Sequence, residues 1–177
     1  MLSADSMALL FLFPTTLEAA ALQSLRPDLD VRICGVGPVE TARYVAKVLA
    51  EERCDGIILC GIAGAYDGSL SVGDVVAVGK EQMASLPAPF RASYEATMSL
   101  ALSQVVSNTV TAVGCESLGA QIENMEGAAL FALCGDAGVP CAEIRAISNR
   151  VDDERKDWRI ELAVDNLTQT IDKLFPR

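Results

Sequence analysis

Residues Gln121 to Asn149, Q-I-E-N-M-E-G-A-A-L-F-A-L-C-G-D-A-G-V-P-C-A-E-I-R-A-I-S-N, read as strand end, helix, tight turn and strand end. Small residues (Gly127, Ala128, Ala129, Ala132) open the predicted helix, and Glu126 stands immediately before it. Val139 to Ile147 is a largely apolar, β-branched run, and Ser148 and Asn149 follow where polar groups are costly to bury. A carboxylate at a helix start and a carboxamide just past a buried strand suit a pocket lined from strand ends.

Outward from this stretch, strand and helix signals alternate. Ala8 to Pro14 is a predicted strand, and Thr16 to Leu25 a helix with Thr15 or Thr16 as its cap. Val31 to Gly35 is a strand, and Val39 to Glu52 an amphipathic helix with Pro38 near its first turn. Gly56 to Gly61 is a continuous apolar strand, Gly-Ala-Tyr-Asp-Gly a turn, and Val72 to Val78 another strand. A strand is expected near Thr109 to Val113 and a final helix from about Lys156 to Leu174, with Asp152 or Asp153 as its cap. Continuous buried strands separated by helices predict an α/β fold: a three-layer α/β/α sandwich around a central, mostly parallel mixed sheet.

The chain has 177 residues, 51% of them hydrophobic, which suits one domain over residues 1–177, with residues 1–6 as a disordered lead. Its net charge of −10 speaks against nucleic acid or an acidic membrane surface as partner. The apolar run Ala8 to Phe13 is short for a secretory core and has no basic segment before it. No segment reaches the roughly 18 apolar residues that cross a bilayer. Six cysteines without a C-x-x-C pair read as reduced thiols of a cytoplasmic protein. Histidine is absent, which excludes a Ser-His-Asp triad, a Cys-His dyad and His-ligated zinc. Gly35-Val36-Gly37 and Gly61-Ile62-Ala63-Gly64 match neither a dinucleotide fingerprint nor a phosphate loop, so no nucleotide cofactor is expected, and no metal.

M-E-G-A-A, followed about twenty residues later by I-R-A-I-S-N, resembles the nucleoside phosphorylase/nucleosidase superfamily. Within it the nearest resemblance is to the futalosine hydrolases, purine nucleosidases of an alternative menaquinone route. The turn G-S-L-S-V-G-D-V-V-A-V and the tail R-V-D-D-E-R-K-D-W-R-I carry the likeness further, with Asp74 read as structural and Trp158 as packing the last helix. The resemblance spans Ala8 to Leu174 except for residues 79–108, which are fewer than relatives use to cover the base and build a subunit contact. It implies a cofactor-free hydrolase acting on a small nucleoside, with a homodimer as the default assembly.

The resemblance assigns Glu18 to activating water, and a glutamate one turn into a helix after a buried strand reaches a strand-end crevice. A solvated glutamate at a helix N-terminus is the plainer alternative. Ala63 and Gly64 flank ribose and base in the family; on pattern alone they are strand-to-turn punctuation. Met125 and Glu126 match the positions that hold the sugar, and a carboxylate accepts two hydrogen bonds from vicinal hydroxyls. Asn149, beside Ser148, stands where relatives that cleave 6-aminopurines commonly have aspartate. A carboxamide supplies no titratable proton but donates to purine nitrogen 7 and a 6-oxo group, which fits hypoxanthine. A loop-capping asparagine is the alternative there. Glu123 is expected to be exposed or behind the site, and Arg145 to pair with Glu143 or Asp152 away from substrate. Three other functions stay open: a methylthioadenosine/S-adenosylhomocysteine nucleosidase, a purine nucleoside phosphorylase, and a non-catalytic nucleoside-binding relative.

Overall fold

A computed structural model describes residues 8–66 and 68–177; the expected lead at residues 1–6 lies outside them. The order is β1 (Leu9–Phe13), α1 (Thr16–Leu25), β2 (Asp30–Ile33), α2 (Pro38–Glu51), β3 (Gly56–Ala65), β4 (Val75–Met83), β5 (Ser93–Glu95), β6 (Gln104–Thr109), β7 (Ile122–Asn124), α3 (Gly127–Ala137), β8 (Cys141–Arg150) and α4 (Ile160–Leu174).

Side chains on the central strands alternate between two cores, as a period of two residues requires. Leu10, Leu12, Ile57 and Leu59 face one core with Val45 and Val48 of α2 and Leu130 and Phe131 of α3. Phe11, Phe13, Ile58 and Cys60 face the other with Leu22 of α1 and Leu167 and Ile171 of α4. A sheet apolar on both faces must be covered on both, so α2 and α3 pack as one layer and α1 and α4 as the other. Each buried leucine-sized side chain contributes about 1.5–3 kcal/mol. This is the expected three-layer sandwich.

The sheet is mixed, with five of its eight pairings parallel. Beyond β1 the pairing closes on itself. β3 pairs with β8, β8 with β4, β4 with β6, β6 with β7, and β7 returns to β3. The site residues emerge from strands of this ring.

Several boundaries move. β3 runs to Ala65, past the expected Gly61, because β8 and β7 hydrogen-bond its extension. Ala63 and Gly64 are therefore strand residues. β8 likewise continues to Arg150, so Ser148 and Asn149 lie within the strand. The register against β3 steps from Ala63–Ile147 to Gly64–Asn149, leaving Ser148 as the extra residue of a bulge. Bulges re-aim side chains. This one lets consecutive Ser148 and Asn149 both line the cavity, which strict alternation forbids.

The strand expected near Thr109 to Val113 is Gln104–Thr109, since the short β7 provides its partner only that far. Neither Asp152 nor Asp153 caps the last helix. α4 starts after Arg159 without a side-chain cap, and Asp153 Oδ2 instead accepts from Arg150 N at 2.7 Å to close the turn after β8.

Candidate active site

A cavity of about 340 Å³ opens at the ends of the central strands. It is lined by all seven residues singled out in the sequence: Glu18, Ala63, Gly64, Met125, Glu126, Ser148 and Asn149. Glu18, Glu126 and Asn149 stand far apart along the chain yet converge here, each nearly buried.

Glu18 is fixed by both oxygens. Thr15 Oγ1 caps α1 by accepting from Glu18 N at 3.3 Å and donates to Glu18 Oε2 at 2.6 Å. The spacing Thr15-x-x-Glu18 is that of a capping box, in which the glutamate would turn back to the cap's own N–H. Here Oε1 reaches across to accept from Ile62 N of β3 at 3.0 Å. That bond ties the carboxylate to the sheet rather than to solvent, and Glu18 is 5% exposed.

Glu126 precedes α3, where the first N–H groups of a helix need acceptors. Its own side chain does not serve. Asn124 Oδ1 accepts from Glu126 N and Gly127 N at 2.8 and 2.9 Å, and Thr109 Oγ1 accepts from Ala128 N at 2.8 Å. The Glu126 carboxylate is thereby released toward the cavity. Gly37 N donates to its Oε1 at 2.9 Å and Arg145 Nη2 to its Oε2 at 3.2 Å. Gly37 has φ +90°, a conformation side chains rarely adopt, and this turn presents its N–H to the acid.

Asn149 is held at both ends of its carboxamide. Ser148 Oγ lies 2.7 Å from Oδ1, and Nδ2 donates to Arg150 O at 2.7 Å. One amide hydrogen remains for a ligand, where the sequence suggested two. Gly64 makes room for this group, since a Cβ there would stand 3.2 Å from Asn149 Nδ2.

Arg145 departs from its expected position. It pairs with Glu143 at 2.6 Å as anticipated, but its second partner is Glu126, not Asp152, and it lines the cavity. Its route passes over Gly61, where a Cβ would meet Nη1 at 2.5 Å. Glu123, expected to be exposed or behind the site, is not exposed: it is buried and lines the cavity. It accepts from Tyr66 Oη at 2.8 Å and from Gly114 N at 2.9 Å. Trp158, expected to pack the last helix, precedes that helix and lines the cavity with Arg155, Leu17 and Val36. The Glu143–Arg145 spacing, which shares one strand face, was the available signal for the arginine. Arg155 and Leu17 gave none. Asp74 is structural as expected, accepting from Ser71 N at 2.8 Å.

Behind the cavity, Glu81 and Glu143 lie side by side, fully buried. Burial pushes the Glu143 carboxyl up, and the Arg145 guanidinium paired with it opposes that rise. Burial, and then the charge of Glu143, push the Glu81 carboxyl well above the carboxylate range. With both acids ionised, Glu143 Oε2 has no hydrogen-bond partner; a protonated Glu81 supplies the donor. Cys34, just after β2, is pushed up to about 11 by burial and is no nucleophile at neutral pH. All six cysteines are free.

A strand-end pocket holding two anchored acids and a fixed carboxamide defines an α/β protein equipped for a small polar ligand. The family model described as the phosphorylase superfamily matches residues 31–114 and 94–176. The chain belongs to that superfamily. Futalosine hydrolase of Thermus thermophilus is 31% identical over 80% of this chain and 78% of its own length. Futalosine hydrolase of Streptomyces coelicolor is 29% identical over 88% and 82%. A mutant Helicobacter pylori MTAN, solved with 5′-methylthioadenosine in the active site, superposes with a TM-score of 0.85 at 16% identity, covering 96% of this chain and 98% of that one. Native futalosine hydrolase of the same organism gives 0.83 at 15%, covering 94% and 96%. At those identities the two structures establish the fold.

Proposed function

We propose that this chain hydrolyses the N-ribosidic bond of a 6-oxopurine nucleoside, and that the nucleoside is futalosine, released as dehypoxanthine futalosine and hypoxanthine on a menaquinone-forming route. The observation that carries this reading is the convergence of Glu18, Glu126 and Asn149 on one cavity. The two curated futalosine hydrolases support the substrate. In this reading the enzyme is a cytoplasmic homodimer that works without metal or organic cofactor. Among the described residues no helix is long and apolar enough to cross a membrane.

The Glu126 carboxylate, oriented by Gly37 N–H and Arg145, accepts from the vicinal ribose hydroxyls. As the bond to the purine lengthens, the sugar gains oxocarbenium character and the base gains negative charge. The free N–H of Asn149 meets that charge at nitrogen 7 or the 6-oxo group. Glu18 takes a proton from the attacking water, whose oxygen bonds to the anomeric carbon. The purine anion takes its proton from solvent, because a carboxamide has none to give.

Purified protein in phosphate-free buffer is expected to release hypoxanthine from futalosine. Glu126→Gln is expected to lower kcat/KM by at least about 100-fold, the loss of a charge-assisted pair of hydrogen bonds. Strict dependence on phosphate would contradict hydrolysis, and turnover of methylthioadenosine but not futalosine would contradict the substrate.

A further inference from the structure

Five charged residues line the cavity: Glu18, Glu123, Glu126, Arg145 and Arg155. The two cations differ in kind. Arg145 is 1% exposed and already committed to Glu126 and Glu143. Arg155 is exposed and has no carboxylate partner among the described residues. Its neighbour Glu154 is taken by Lys156 at 2.6 Å. The Arg155 guanidinium lies 4.3 Å from the centroid of the Trp158 ring, which also lines the cavity. Such stacking restrains the group and leaves its N–H edge available, the geometry that grips a carboxylate through two parallel hydrogen bonds.

The segment carrying this pair is fastened to the end of β8. Arg159 N donates to Ser148 O at 2.8 Å, and Trp158 Nε1 to Asp153 O at 3.4 Å. Leu17, 65% exposed, and Val36, 51% exposed, also line the cavity and offer uncovered apolar surface to a ring. The chain as a whole carries a net charge of −10, so an anionic ligand enters against the field unless a cation meets it locally.

Resting on the reading of futalosine as substrate, a nucleoside with a carboxyaryl ketone at the far end of its sugar, we propose that Arg155, stacked on Trp158, receives that aryl carboxylate, with the aryl ring against the apolar surface beside it. The acids then hold the sugar, Asn149 reads the base, and Arg155 selects nucleosides whose far end carries an anion. It is a specificity residue and takes no part in bond cleavage.

The test compares futalosine with its analogue in which hydrogen replaces the carboxylate, for the wild-type protein and the Arg155→Ala and Arg155→Lys variants. The wild type is expected to favour futalosine by about tenfold in kcat/KM, the size of one charge-assisted contact at a part-exposed site. This preference should shrink as ionic strength rises. Arg155→Ala should lose that factor on futalosine, mainly through KM, and stay within about twofold on the analogue. Arg155→Lys, which keeps the charge without the planar fork, should recover part of it. Equal losses on both substrates, or no loss on either, would overturn the assignment. A wild-type protein that cleaves another nucleoside but not futalosine would remove the underlying reading, and the assignment with it.

Discussion

In the proposed reaction one side chain, Asn149, sets the choice of base. With one amide hydrogen held by Arg150 O and the oxygen held by Ser148, its remaining N–H favours an acceptor on the ligand. Asn149→Asp replaces that donor with an acid. It is expected to lower kcat/KM for the 6-oxopurine substrate by about 10- to 100-fold and to raise activity on the 6-aminopurine counterpart, checked by competition between the two nucleosides. Glu18→Gln should lower kcat by at least about 100-fold with KM little changed, because in the proposed mechanism Glu18 acts on water rather than on binding. Glu126 and Asn149 were legible because a polar group at a junction of apolar segments is conspicuous in one dimension. Arg145, Glu123 and Trp158 were not. Arg145 and Glu123 meet Glu126 and Tyr66 only after strands and turns from distant parts of the chain assemble. Trp158 stacks on nearby Arg155, but the cavity both line is built from other strands, which a single sequence does not display.

The start of α3 shows most clearly how an element positions the site. A Cβ at Gly127 would collide with Glu143 Oε2 and Glu81 Oε1, whose carboxyl groups are fully buried and held in place by Arg145 and Thr109. Gly127→Ala is expected to destabilise the fold by roughly 2–4 kcal/mol, read as a lower midpoint in urea unfolding. The same crowding carries a pH signature. A buried Glu81 whose pKa lies above its ordinary 4.5 binds a proton more tightly in the folded state than in the unfolded chain. Its contribution is present at low pH and is lost as pH rises from about 4.5 through the raised value. Glu81→Gln, a neutral mimic, should flatten the decline in stability between mildly acidic and alkaline pH; an unchanged slope would count against the shared proton. Most helices and central strands were legible from apolar runs and caps, α1 to the residue. The ends of β3 and β8 were not, because the partner strands, not local propensity, extend them to the cavity.

Across the whole molecule, helices on two faces hold a ring of strands whose ends gather residues from positions 14 to 160 into one hollow. The alternation of strand and helix made the layered architecture legible. The ring did not show, since it depends on the short β7 and on the antiparallel β4–β8 pairing. In the proposed complex a nucleoside lies across that hollow, sugar on Glu126 and base on Asn149. A crystal structure of the Glu18→Gln variant soaked with futalosine tests this most directly. The prediction is a ligand with both ribose hydroxyls within hydrogen-bonding distance of Glu126 and the purine edge on Asn149 Nδ2. A ligand bound elsewhere, or one whose sugar and base occupy the reverse positions, would contradict it.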